Sequence, residues 1–600
     1  MDFYKTTKPA TRWWWFAGEL KKEDIAFQLD WLRDNGFGGV EIAWVYPLPD
    51  SKPAPEWLSS QWSQMVAFAK EYAKSIGLFC DFTFGSLWPF GGSAVDESIA
   101  SRDFFGLSKQ RLRKSWEGGE HYVLNHLSRA ALEKYSSILG KAFEPVMKGQ
   151  PRALFCDSWE VAPENLWSDG LDERFEKEFG YSLDSFKQDL SSNPDILYDY
   201  RKFISRVVND EFYRPFTETA HRMNGFTRIQ AHGSPTNLLD SYACADVPET
   251  ESILFDPHFS QFAASSAALS GKSIVSCETF TCLYGWKTHP GPGQHQFEEN
   301  DEDLRMLADA LFANGVNMIF WHGFPYNPKD GKNSFYASVH VGWDGSLAQH
   351  FKPFNAYMEK VSKLMRQGQS YFDCACYLPM EDNWMKGEVP QELRRPSAQY
   401  HWELHYQRFP EEFNGFRPCW ISGEFLGKAS VENRELVVGN QRFQFLFVDV
   451  DYLDYESLLQ IHRLATDGLQ VVMRNEPEEP GFIHHQSYDR LLSELYRIPN
   501  VSQTLDAKPM IESFTILEFW VRKTGDGYIF FIAHPASVDI SYPMDYNQSM
   551  KAGKTDVPVV IGIGGRRFEE TLSFDGNRPL ILNVSDRIER IGLENLEEGI

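Results

Sequence analysis

Along the first 370 residues, short runs of apolar, β-branched and aromatic residues alternate with stretches whose apolar positions return every three or four residues. The runs are Arg12–Ala17, Gly39–Val45, Phe79–Phe84, Ala153–Trp159, Thr227–His232, Ala245–Thr250, Ser273–Phe280 and Asn317–His322. Their length and composition predict buried strands. The stretches between most of them predict amphipathic helices. Asp24–Asn35 carries Ile25, Leu29 and Leu32 near helical spacing and runs into Gly36, a helix stop. Glu56–Ile76, Asp199–Met223, Asp301–Ala313 and Ala348–Met365 follow the same pattern. Eight strands alternating with helices predict an α/β fold, a (β/α)8 TIM-like barrel over 1–370, with Gly85–Gly149 as an elaborated loop after the third strand. A doubly wound open sheet would alternate in the same way. The acidic residues at the strand ends, taken up below, favour the barrel.

After residue 370 the pattern changes. Tyr371–Leu378, Phe443–Val448 and Leu469–Met473 read as buried strands, and Leu453–Asp467 and Tyr488–Leu495 as helices. Together they predict a small α/β domain over 371–509. From Met510 the strands shorten and alternate: Ile516–Val521, Gly527–His534, Val557–Ile563, Arg567–Ser573 and Leu580–Val584. This spacing predicts a β-sandwich over 510–600.

Composition narrows the function classes. A formal charge of −25 speaks against nucleic acid and anionic membrane as partners. No run of about 18 apolar residues is present, so no spanning helix is expected. Met1-Asp2-Phe3-Tyr4-Lys5 lacks the apolar core of a signal peptide. The expectation is a cytoplasmic protein, or a periplasmic or secreted one if a leader has been removed. The eight cysteines are scattered, which fits a reducing compartment. Cys374-x-Cys376 has no second pair at ligand spacing, so no zinc site is expected. The 18 tryptophans supply large cores and, at some positions, flat platforms for sugar rings. Phosphate-cradling glycine loops in a strand–helix context, the Gly-x-Ser-x-Gly elbow and the His-Glu-x-x-His pair are missing. Their absence argues against dehydrogenase, NTPase, serine hydrolase and zinc protease chemistry.

Two carboxylates stand at strand ends. Glu160 closes Asp157-Ser158-Trp159-Glu160 after the fourth strand, and Glu278 lies in Cys277-Glu278-Thr279 near the end of the seventh. In a barrel of parallel strands, catalysis is built at the strand C-termini. Glycosidic cleavage needs one protonated carboxyl for the leaving oxygen and one ionised carboxylate for water or the anomeric carbon. Spacing decides between retention and inversion, and the residues alone leave both open. Asp157 shares a strand face with Trp159, and both are candidates for substrate contact; Asp157 could bind sugar hydroxyls or raise the proton affinity of Glu160. His232 ends the fifth strand and His322 the eighth, so both are candidates for hydroxyl contacts. Arg12-Trp13-Trp14-Trp15 opens the first strand, and Trp13 is the candidate floor of a sugar subsite. Asp246-Val247-Pro248-Glu249-Thr250-Glu251 packs carboxylates closely enough to suit Ca²⁺, with Glu249 and Glu251 as candidate ligands. Glu41, inside the second strand, needs a buried partner, and Arg12 is the candidate.

The chain resembles glycoside hydrolase family 106, the α-L-rhamnosidases. The residues that carry this are Arg12-Trp13-Trp14-Trp15, Gly36 to Ile42, Asp157-Ser158-Trp159-Glu160, Phe179-Gly180-Tyr181, Gln230 to Pro235, Asp246 to Glu251, Cys277 to Thr281 and Asn317 to His322, in that order and spacing. The resemblance implies an inverting, exo-acting glycosidase with Ca²⁺ near the substrate. It implies Glu160 as general acid, Glu278 as general base, Asp157 in contact with sugar, and Glu249 or Glu251 at the metal. The partner expected is an oligosaccharide or glycoside. Competing expectations are a retaining glycosidase of other specificity and a non-catalytic carbohydrate-binding relative.

Overall fold

The eight apolar runs pair side by side, all parallel, and close into a barrel. The computed structural model describes residues 3–592 apart from 49–51, 53, 86–88, 113–119, 163–164, 253–255, 286–294, 336–338, 387–407 and 526. Met1 and Asp2 of the opening segment lie outside the described residues. The barrel strands are Ala10–Phe16, Gly39–Val45, Phe79–Thr83, Ala153–Cys156, Phe226–Gln230, Val247–Ser252, Ser276–Thr279 and Met318–Pro325. Each pairs with its successor, and the eighth returns to the first.

The helices between them follow the sequence periodicity. Lys22–Asp34 buries Ile25, Gln28, Leu29 and Leu32 on one face. Its acidic first turn and Arg33 in the last turn complement the helix dipole. Ser260–Leu269 is buried all round, because it lies between the barrel and the second domain. Its small residues allow that double contact: Ser265 Oγ accepts from the Trp420 backbone N–H, and Phe262 stacks on Trp420.

The second domain is a five-stranded parallel sheet in the order Pro418–Ile421, Cys374–Tyr377, Phe445–Val448, Gln470–Met473 and Val501–Ser502. Sequence periodicity missed Pro418–Ile421 and the antiparallel meander over Ser430–Glu432, Glu435–Val438 and Gln441–Phe443. These strands are only three or four residues long, too short to show a period. The C-terminal region forms two facing antiparallel sheets around a core that includes Phe519, Phe530, Ile561 and Leu572. Gln369–Ser370, at the end of the barrel segment, pairs into this sandwich.

Among the described residues, no helix is long and apolar enough to cross a membrane. Among the described residues no disulfide links the eight cysteines, and all but Cys244 are buried.

Candidate active site

Strand alternation sends every second barrel residue inward, and the interior is layered by polarity. The amino-terminal end is closed by an apolar plug that includes Tyr4, Phe79, Phe226, Met318 and Phe320. Above it lies charge. Arg228 bridges Glu41, Asp81 and Glu249, at 2.5 Å for Nε to Glu249 Oε2. Arg12, one layer nearer the carboxyl ends, reaches Glu41 Oε1 at 3.1 Å, Asp157 Oδ2 at 3.1 Å and Glu278 Oε2 at 3.0 Å. Phe155 separates the two guanidiniums, 4.4 Å from that of Arg12 and 4.7 Å from that of Arg228. Cations over a ring face gain electrostatic attraction, so the phenyl group serves as a spacer that both cations tolerate.

Glu278 sits at the centre of the upper layer. Its Oε2 accepts from Gln230 Nε2 at 2.7 Å, its Oε1 accepts from Thr281 Oγ1 at 3.0 Å, and His322 Nε2 lies 3.4 Å from Oε1. Asp157 Oδ2 and Glu278 Oε2 touch the same guanidinium nitrogen, so they lie no further apart than those two contacts allow. Glu251 Oε2 lies 3.1 Å from His232 Nε2, and Tyr242 supports the other ring nitrogen at 3.5 Å.

Six carboxyls here (Glu41, Asp81, Asp157, Glu249, Glu251 and Glu278) surround two arginines. The surplus negative charge divides them. Burial opposes the charge on Glu278, but Arg12, His322, Gln230 and Thr281 outweigh it and hold the carboxyl down to about 2. Burial pushes Asp157 up to about 7, with Arg12 opposing and the charge of Glu278 adding. Burial, then Glu278, drives Glu251 well above the usual carboxylate range. Burial lowers His232 to about 4, so at neutral pH its ring is uncharged. One ionised carboxylate next to one proton-holding carboxyl is the division that acid–base chemistry requires.

The other expected residues are placed as follows. Glu160 lies four residues past the strand end, half-buried at the rim. Gln110 clamps its turn, donating to the Glu160 carbonyl at 2.6 Å and accepting from the Ala162 N–H at 2.8 Å. Trp13 is not in the barrel interior. Its ring is fully buried, donates to Gln28 Oε1 at 3.1 Å and packs edge-on against Trp15. Alternation makes Arg12 and Trp14 the inward pair instead, and Trp14 stands 4.9 Å from the His322 ring and stacks on Phe335 at 3.9 Å. Trp159 is no open platform either, since His126, Phe212 and Tyr213 cover its ring. His232 is fully buried and contacts Glu251.

Glu249 is drawn out of the expected metal pair. Its oxygens accept from Arg228, Gln230 and Ser276 within the barrel. Glu251 differs: its buried Oε1 has no partner among the described residues. Among those residues, no three His, Cys, Asp or Glu side chains are grouped to hold a metal ion. Gln230 and Thr281 stand in stretches that carry the family resemblance, but nothing in the sequence marks either for a role of its own. Gln230 is two residues before His232 on the same strand face, so alternation was its available signal.

With the geometry in place, comparison with known proteins gives a consistent picture. A family model described as alpha-L-rhamnosidase, glycoside hydrolase family 106, matches residues 120–523. A curated protein of Formosa agariphila named "Putative beta-glucuronidase" is 22% identical over 422 residues, covering 67% of this chain and 32% of that one. The chain thus spans about a third of that relative's length. The solved structure of a rhamnosidase from Novosphingobium has a TM-score of 0.75 at 12% identity, covering 96% of this chain and 82% of that one. A β-galactosidase from Bacillus circulans has a TM-score of 0.57 at 11% identity, covering 97% and 100%. At these identities the structural likeness establishes a shared fold.

Proposed function

The chain belongs to glycoside hydrolase family 106, the alpha-L-rhamnosidase family, and from that premise we propose that it is an inverting, exo-acting α-L-rhamnosidase. The observation that carries the mechanism is the Arg12-held carboxylate of Glu278 at the carboxyl end of the seventh barrel strand. Glu278 takes a proton from water as that water attacks the anomeric carbon. Glu160, at the rim, protonates the departing glycosidic oxygen. Asp157, raised to about 7, is shared between its protonated and ionised forms at neutral pH and hydrogen-bonds a sugar hydroxyl next to the reacting carbon.

A specific observation favours a second reading. Asp157, pushed up to about 7, has the proton affinity suited to a general acid. Its closeness to Glu278 suits the roughly 5–5.5 Å spacing of a retaining pair better than the roughly 6.5–9.5 Å of an inverting one. Proton NMR of the first-formed sugar decides between them. Inversion supports Glu160 with Glu278, and retention supports Asp157 with Glu278. Glu160→Gln and Asp157→Asn variants add a second reading of the acid. Loss of the true acid is largely masked on aryl glycosides with good leaving groups, because such groups depart without a proton. No turnover of any aryl glycoside in a panel that includes α-L-rhamnoside would favour the binding relative.

We further propose that any Ca²⁺ is taken at Glu251, not at Glu249. Support comes from the partnerless, buried Oε1 and the negative surplus around it. A bound divalent cation would neutralise charge and fix hydroxyl oxygens of the sugar. Titration calorimetry with CaCl2 checks this: binding that Glu251→Gln abolishes supports it, and binding that survives refutes it.

A further inference from the structure

A crevice of about 670 Å³ lies between the helical flank of the barrel and the second domain. That volume is within the roughly 300–1,000 Å³ of small-molecule sites. One wall is the barrel helix Pro194–Val208, through Tyr198 and Lys202. The other is the carboxyl edge of the parallel sheet. Cys374–Tyr377 is the first strand of that sheet in sequence, and its successors Pro418–Ile421 and Phe445–Val448 flank it on opposite sides. Chain direction therefore reverses at this strand, which is where open parallel sheets bind ligands. The segments that follow all three strands line the crevice, through Glu381, Glu424 and Asp454 respectively.

Three polar atoms there are unmatched. Glu381 is 4% exposed; its Oε1 accepts from the Tyr377 hydroxyl at 2.6 Å, but its Oε2 has no partner among the described residues. The Tyr198 hydroxyl and the Trp384 indole N–H, on equally buried residues, likewise have none among the described residues. Buried polar groups are normally satisfied, so three around one crevice point to a ligand that meets them. Lys202 is already committed to Asp454 at 3.1 Å and Glu456 at 3.2 Å. Acidic residues outnumber basic ones on the lining, which opposes phosphates and carboxylates. Carboxylates on the lining accept from hydroxyls, and the indole and phenol donate; the Tyr198 and Trp384 rings pack on each other, 6.0 Å apart, and are buried, so the recognition is polar and not by ring stacking. Burial raises the Glu381 carboxyl well above its usual range, which lets it donate as well as accept.

We propose that this crevice is a second carbohydrate site, separate from the barrel mouth, that binds a neutral saccharide of one or two rings. It stands independently of the catalytic reading, because none of its residues belongs to the Arg12 layer. The test is titration calorimetry of the full chain carrying Glu278→Gln, with L-rhamnose, D-galactose, maltose and cellobiose as probes. The same titrations are made with Gly427→Trp added. Gly427 lines the crevice, and nothing lies within 4 Å of a Cβ built there, so an indole fills space without displacing backbone. Tyr455→Ala, a half-buried rim position, is the second variant, and thermal unfolding verifies that both fold. At least one saccharide is expected to bind, with a loss of at least tenfold in Gly427→Trp and a smaller loss in Tyr455→Ala. No binding of any of the four, or binding that both variants leave unchanged, overturns the proposal. Binding of Ca²⁺ alone that Gly427→Trp abolishes, with no saccharide bound, also overturns it.

Discussion

Replacing Arg12 by methionine tests the electrostatic account directly. Methionine keeps most of the apolar stem and removes the guanidinium that Glu41, Asp157 and Glu278 share. Glu278 is held down to about 2, against about 4.3 for an ordinary glutamate, a difference worth ~3 kcal/mol. Its folded-state value lies below the unfolded one. The contribution to stability is therefore complete above the ordinary value and is lost as pH falls towards about 2. Without Arg12, burial dominates and the carboxyl rises through the ordinary range. The acid limb of kcat/KM should move up by at least two pH units. Stability at neutral pH should fall by ~3–5 kcal/mol, the usual cost of breaking a buried pair from one side. Arg12→Lys should recover only part of both effects, because an ammonium is a point charge and cannot span three carboxylates. The assays are a pH–rate profile on an aryl rhamnoside and urea denaturation. If Arg12→Met lost stability while its acid limb coincided with that of the wild type, Arg12 would be a structural brace and the charge argument would fail.

Asp157, raised to about 7, should give a basic limb near that pH in kcat/KM. Asp157→Asn should abolish the limb, and a limb that persists would assign it to another group. Because its folded-state value lies above the unfolded one, Asp157 should also favour the fold below the ordinary carboxylate range and lose that contribution as pH rises through about 7. Gly315 has φ +96°, and a Cβ there would lie 2.6 Å from that of Ala264 and 2.8 Å from the Trp520 ring. Gly315→Ala should therefore destabilise the chain by at least ~1–3 kcal/mol, read by denaturation, with the acid limb unmoved. Trp13→Ala should lower the melting temperature through a core cavity. Trp14→Ala should act on KM or kcat as well, since Trp14 abuts His322; equal kinetic effects of the two would contradict the inward assignment.

The barrel was legible because its signal is local. Eight apolar runs separated by helical periodicity leave few topologies, and parallel strands place their carboxyl ends together whatever the loops do. The Arg12–Glu41 pair was legible for a related reason: a charge inside a strand demands a partner, and the neighbouring strand held one. The place of Glu278 near the end of the seventh strand was legible from its apolar run, and the structure puts it in Ser276–Thr279. Trp13 was misplaced because alternation states which residues share a face but not which face points inward. Register with the neighbouring strands decides that, and it puts Arg12 level with Glu41 and Asp81.

Glu249 shows the limit most plainly. In sequence it stands in an acidic run that invites a cation, while in space Arg228, from the adjacent strand, has already claimed it. The sequence by itself determined the order of elements, the presence of carboxylates at strand ends and the family resemblance, because each rests on spacing within a few residues. Only the tertiary structure decided which carboxyl is ionised, which holds a proton, and where the second domain leaves a crevice. Those properties depend on burial and on distances between residues far apart in sequence, and barrel closure and domain packing set both.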